Sequence, residues 1–397
     1  MHCPSRTRQV ALLLAVLWSA TVIPSEFRND SGDKNWSDFD SKLHAAGTPP
    51  LMLAAVASPS PVASREAVPG PVSKYGLEFG SPHTVEATLR FDIHAPRMKA
   101  EEWIVFAAEP PRLAHQTAVS FRVVPDGLPY QDLEEPHRAL MRSRTKARDD
   151  QRSAFSGRLE YRASLASRRL VEREPGKNYP SPEPLAGAAR ARWLASGGLF
   201  DFTSSDFRRW QRDTGLGRAS SESDVDFARR VFLTLRRRLR YEYHDDMDRH
   251  ASHIAQNAAG DCGGMSVLFA SVMRSSGVPA RVLAGRWAKS SKPGETVGDV
   301  RYFQQHVKAE FYAAGVGWVP VDLSSAVEHD HTAEGLQYFG VDRGNFLAVH
   351  IDPTISVDTI HFGRQTFAWL QGVKYYVSGQ GTVQGSTFDE TWTVTQK

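Results

Sequence analysis

The segment Gly260-Asp261-Cys262-Gly263-Gly264-Met265 runs into apolar residues at Met265, Leu268, Phe269, Val272 and Met273, the three- and four-residue spacing of one buried helix face. Gly277 suits the left-handed cap that ends such a helix, and Asp261 suits the cap that begins it. Cys262 then falls in the first turn, where unpaired N–H groups and the helix dipole favour a negative sulfur. The same amides can hold the oxyanion of a tetrahedral intermediate. Gly263 and Gly264 are poor helix formers, and the close approach of a substrate backbone would explain a wall without side chains. Taken alone, the cysteine reads slightly better as an inert, buried space filler. The chain has only one other cysteine, Cys3, so removing a leader leaves no intramolecular disulfide and the fold rests on its cores. A lone thiol in an oxidising compartment is a liability, which favours a reactive role.

The leader is read from Arg6 and Arg8 followed by an apolar run from Val10 to Ile23, shorter than the ~20 residues that span a bilayer comfortably. Residues 1–25 are therefore expected to be a signal peptide or a short membrane anchor, with the protein exported to a periplasmic, cell-surface or extracellular location. Cys3 precedes the apolar run and so is not placed as a lipidated cysteine. Residues 26–72 carry Pro49, Pro50, Pro59, Pro61, Pro69 and Pro71 among alanine and serine, the composition of a disordered linker.

From 73 to 180 the chain carries β-type segments, clearest at Thr84 to Ile93, Trp103 to Ala107 and Ala118 to Val124, separated by turn residues such as Pro125, Asp126 and Gly127. A β-sandwich is expected. The arginines between Arg138 and Arg173 are interleaved with Asp149, Asp150, Glu160 and Glu172, which reads as a solvated face. A net charge of +3 over 397 residues names no nucleic-acid partner.

Helical patterning begins near Glu183. In the segment from Asp224 to Arg240 the apolar positions Val225, Ala228, Val231, Phe232, Leu235 and Leu239 share a face, Ser223 can cap it, and its arginines are read as solvated. Asp245, Asp246, Asp248, His250 and His253 match no standard metal spacing, so no metal and no cofactor is expected. The tail returns to strands at Phe346 to Ile351, Val373 to Val377 and Thr391 to Val394. Residues 181–397 are thus expected to form an α+β domain with a β-rich C-terminal extension.

A cysteine nucleophile needs a base, and His306 opens a strand-like run that turns at Ala313-Ala314-Gly315 into Val316-Gly317-Trp318-Val319-Pro320-Val321-Asp322. If those three residues form the loop, Tyr312 opposes Val316, Glu310 opposes Trp318, Lys308 opposes Pro320 and His306 opposes Asp322. Cross-strand Cβ atoms lie about 4.5 to 5.5 Å apart, close enough for the carboxylate to fix the imidazole tautomer. Cys262, His306 and Asp322 are therefore the candidate catalytic residues. Trp287 and Trp318 are candidates for an apolar cleft or for core packing.

These residues in this order resemble the bacterial transglutaminase-like superfamily of predicted cysteine proteases. The likeness runs from Tyr241 through Gly260-Asp261-Cys262, Ser276-Gly277-Val278-Pro279-Ala280-Arg281, Val282 to Trp287, His306 and Gly317 to Asp322. It implies an α+β fold in which an N-terminal β-sandwich precedes a transglutaminase-like domain of the papain-like cysteine-protease superfold, its helix-borne cysteine packed on an antiparallel sheet. The sequence departs from the family at Gly263-Gly264, where a polar or aromatic residue is common, and at Val307-Lys308, where Ala-Trp is common. Gln256 is a guess, from proximity alone, for a side-chain oxyanion donor.

The resemblance implies thiol chemistry on amides of a protein or peptide substrate, through a thioester acyl-enzyme that water or an amine resolves. Membrane contact is expected only if the leader is retained. The rival reading is a catalytically silent cell-surface binding module. A papain-type peptidase ranks lower, because its cysteine usually lies near the start of the mature chain and is accompanied by several others.

Overall fold

The computed structural model describes residues 73–397 except 136, 245, 298 and 299. The expected leader (1–25), the linker (26–72), Cys3 and Asp245 lie outside the described residues.

Alternation of apolar and polar residues along His83–His94 turns Val85, Ala87, Leu89, Phe91 and Ile93 to one side, the period-two pattern of a strand buried on one face. This strand lies between Thr387–Gln396 and Ala154–Leu165, with Gln116–Val124 outermost. The facing sheet runs Val373–Gly381, Met98–Ala108, Ala139–Lys146, Gly127–Gln131. Trp103, Phe91, Phe155, Tyr375 and Trp392 fill the space between the two sheets.

The expected boundary near residue 180 assigns the tail to the second domain, but the last two strands each complete a sheet of the sandwich. Their alternating pattern marks them as strands, while their partners lie 266 to 311 residues earlier in the chain. The described residues fall within one compact unit.

The second core forms around a four-stranded antiparallel sheet in the order Gly317–Val321, Gln305–Ala313, Ala280–Trp287, Phe346–Ile351. Helix Cys262–Ser275 packs on it through Met265, Leu268, Phe269 and Val272, which share a core with Val282, Val307, Ala309 and Phe311. Gly277 ends this helix region at φ +79°, as its residue type suggests. Helix Asp224–Arg238 begins with Ser223 accepting from the Asp226 amide, and it buries the expected apolar face in the same core. The fold is α+β, with a sheet domain ahead of a helix-borne cysteine on an antiparallel sheet.

The arginine-rich stretch is mostly solvated and ion-paired at the surface, with two exceptions. Arg138 is buried against Asp132 at 2.6 Å and donates to the carbonyls of Ile351 and Thr354. Arg168 is buried against Glu310 at 2.6 Å and Asp342 at 3.4 Å. Arg138 ties the sandwich to the second sheet, and Arg168 ties to it the separate three-stranded sheet of Tyr75–Phe79, Arg168–Glu172 and Val341–Asp342; a buried guanidinium requires such partners.

Candidate active site

Asp261 caps the cysteine helix as expected: its Oδ1 accepts from the Gly264 amide at 2.8 Å. Its other oxygen holds Arg249 at 2.7 Å, a partner with no local sequence signal. The N–H groups of Cys262 and Gly263 have no acceptor within the helix. Cys262 is partly exposed.

The surroundings of the thiol raise its pKa, opposing the helix terminus. Burial pushes its pKa up, the neighbouring Asp261 carboxylate pushes it the same way, and Arg249 and the Val307 amide only partly oppose them. Desolvation here outweighs the helix terminus.

The two glycines also answer a packing need. A Cβ on Gly264 would lie 2.7 Å from Ile254 Cδ1, and one on Gly263 would lie 2.9 Å from Cζ2 of Trp369.

His306 lies on the second strand of the sheet, and its Nε2 is 2.9 Å from Oδ2 of Asp322. The pair forms although the hairpin register differs from the expected one. The three-residue loop is Ala314-Gly315-Val316, so Tyr312 faces Trp318 and Glu310 faces Pro320. Every residue of the first strand thus meets a partner two positions further along. A shift of two preserves the side-chain face, whereas a shift of one would reverse it. The strand ends at Val321, and Asp322 caps the helix Leu323–His329 by accepting from the Ser325 amide at 3.1 Å. Its carboxylate reaches back to the imidazole from that cap.

Burial raises the Asp322 pKa, but His306, Lys308 and the Ser325 amide outweigh it and leave the carboxyl at about 2. The imidazole is stacked on Trp287, with centroids 4.5 Å apart, and touches the edge of Phe346. Trp287 is therefore a wall of the site. Trp318 packs away from it, edge-on to Trp193 and Tyr312.

Cys262, His306 and Asp322 line one cleft of about 1460 Å³, together with Lys308, Glu328 and Arg343. The Val307 amide, next to His306, interacts with the sulfur. A second cleft of about 620 Å³ also meets Cys262 and is lined largely by aromatic and apolar residues. Tyr241 and Tyr302 border both clefts, and burial together with Cys262 pushes their phenol pKa values up.

Gln256 is exposed on helix Ala251–Asn257 and lines neither cleft, so the guess of an oxyanion donor there is not supported. In the acidic loop Asp248 pairs with His250 at 2.6 Å. Arg249, Tyr302, Trp369 and Gln371 were missed by sequence reasoning. The Gly263-Gly264 pair was the one signal that something bulky lay close.

Residues 214–323 match the family model of the transglutaminase-like superfamily. No curated protein matches the chain in sequence. Among solved structures, the chain is similar to a Cytophaga hutchinsonii protein described as a candidate cysteine protease, at 11% identity over 80% of this chain and 100% of that one, with a TM-score of 0.47. It is also similar to the periplasmic domain of TgpA from Pseudomonas aeruginosa, at 14% identity over 63% of this chain and 92% of that one, with a TM-score of 0.32.

Proposed function

We propose that this chain, whose residues 214–323 form a domain of the transglutaminase-like superfamily, is an exported thiol acyl-transfer enzyme acting on peptide or glutamine carboxamide bonds. The observation that carries the reading is the 2.9 Å His306–Asp322 hydrogen bond in the cleft that Cys262 lines. With the Nε2 proton donated to Asp322, Nδ1 is the acceptor left for the sulfhydryl proton. A thiol whose pKa is raised by burial depends on that base at the moment of attack.

The sulfur adds to the amide carbonyl as His306 takes its proton, and Asp322 stabilises the imidazolium. The N–H groups of Cys262 and Gly263 face the developing oxyanion. His306 returns the proton to the departing nitrogen, leaving a thioester that water hydrolyses or an amine converts to a new amide. Export is supported by the basic and apolar N-terminal run, and a protein or peptide is the substrate class.

The test is incubation with a panel of glutamine-containing and other peptides, following ammonia, amine and peptide products in wild type and Cys262→Ala. Turnover by wild type that the variant loses is expected. Equal, negligible product from both proteins across the panel would overturn the proposal in favour of a silent binding module.

A further inference from the structure

Trp369 and Gln371 enter the site from the tail, beyond the matched residues 214–323. They follow strand Arg364–Ala368, and the intervening backbone is fastened at several points. The Trp369 amide donates to the Pro353 carbonyl at 3.0 Å, and the Leu370 amide donates to Nε2 of His350 at 2.9 Å. The Gln371 side-chain amide donates to the carbonyls of Gly285 and His306 at 2.7 and 2.8 Å. Arg286 Nε donates to the Gln371 carbonyl at 2.6 Å. Trp369 itself has φ +64°, a conformation that disfavours any side chain and persists where the surroundings over-determine it.

These constraints press the indole onto the first turn of the cysteine helix, against the Gly263 position that has no room for a Cβ. The resulting 620 Å³ cleft is walled by Trp369, Tyr241, Tyr302, Phe303 and Val297. Its two arginines are each engaged by a carboxylate: Arg249 by Asp261 at 2.7 Å and Arg301 by Asp389 at 3.2 Å. The cleft beyond His306 instead presents Lys308, Glu328 and Arg343. An aromatic arm and a charged arm therefore meet at the sulfur.

We infer that the aromatic arm receives a large apolar side chain, aromatic above all, of the substrate whose amide Cys262 attacks, and that Trp369 is the residue that sets this preference. The inference rests on the acyl-transfer reading. The cleft is open to solvent, and its aromatic lining suits a flat apolar side chain laid against the indole. Of its two arginines, Arg249 is already held by the buried Asp261 carboxylate, and Arg301 lies at the exposed rim. Burial of an aromatic side chain is expected to separate good from poor donors by about 10- to 100-fold.

Alkylation of the full chain by neutral iodoacetamides, in which sulfur displaces iodide, tests this without requiring turnover. Modification at Cys262 is read by peptide mass spectrometry, apart from that at Cys3, and each rate is divided by the reagent's rate with glutathione. The N-benzyl reagent is expected to modify Cys262 at least about 10-fold faster than iodoacetamide itself. Trp369→Ala is expected to abolish most of that preference, and Trp369→Phe, which keeps a ring, to retain part of it. Equal corrected rates for the two reagents in wild type, or a preference unchanged in Trp369→Ala, would overturn the inference and leave the acyl-transfer reading standing. A Cys262 that no reagent modifies would sink both.

Discussion

Acidification to pH 5 should cost this protein about as much stability as a large core truncation, because two buried histidines must stay neutral to remain folded. His350 shows why. Its Nδ1 lies 2.9 Å from the Asp352 carbonyl and its Nε2 accepts from the Leu370 amide at 2.9 Å, so the ring is the neutral Nδ1–H tautomer. A second proton would remove the acceptor that holds the segment carrying Trp369. Burial pushes the pKa down, the nearby Arg138 pushes it further, and the value falls from 6.5 to about 3. His115 is likewise lowered from 6.5 to about 3 by burial and Arg168.

Because the folded values lie below the unfolded one, this stability is fully present above about pH 6.5 and drains away as the pH falls toward 3. Linkage gives about 2 kcal/mol per histidine between pH 7 and pH 5, hence about 4 kcal/mol together, out of a typical 5 to 15 kcal/mol. Urea unfolding followed by tryptophan fluorescence at both pH values measures it. His350→Gln, which cannot take up a proton, should cost stability at pH 7 yet lose only about half as much on acidification as wild type. If the variant loses as much as wild type between pH 7 and pH 5, the neutral-histidine argument is wrong.

Asp261→Ala removes the helix cap, worth about 1 kcal/mol, and also strips the largely covered Arg249 of its carboxylate. A total loss of about 3 kcal/mol in urea unfolding is expected, while a loss near 1 kcal/mol would show that Arg249 finds another partner. At Gly285 an added Cβ would lie 2.1 Å from the Leu347 carbonyl oxygen. Gly285→Ala should therefore cost about 3 kcal/mol or more, and a thermal midpoint within a degree of wild type would contradict the close approach of these strands.

What the sequence determined by itself was local. The start of the cysteine helix, its Asp261 cap, its apolar face and its end at Gly277 all follow from residues within a few turns of one another. The strands announced themselves by alternation, and the shared face of His306 and Asp322 survived because a two-residue slip keeps side-chain parity. The tertiary structure decided which segments meet. The register moved because Gly315, at φ +74°, took the middle of the hairpin loop, not its end. Arg138 and Arg168 left the solvated face because distant acids and carbonyls received them. The tail strands went to the sandwich because that is where unfilled sheet edges stood. The wall beside Cys262 came from Trp369, more than a hundred residues downstream. Periodicity and capping act within one segment and are written in it. Burial, desolvation and contact between segments depend on the whole packed chain, and they set the shape of the cleft beside the thiol.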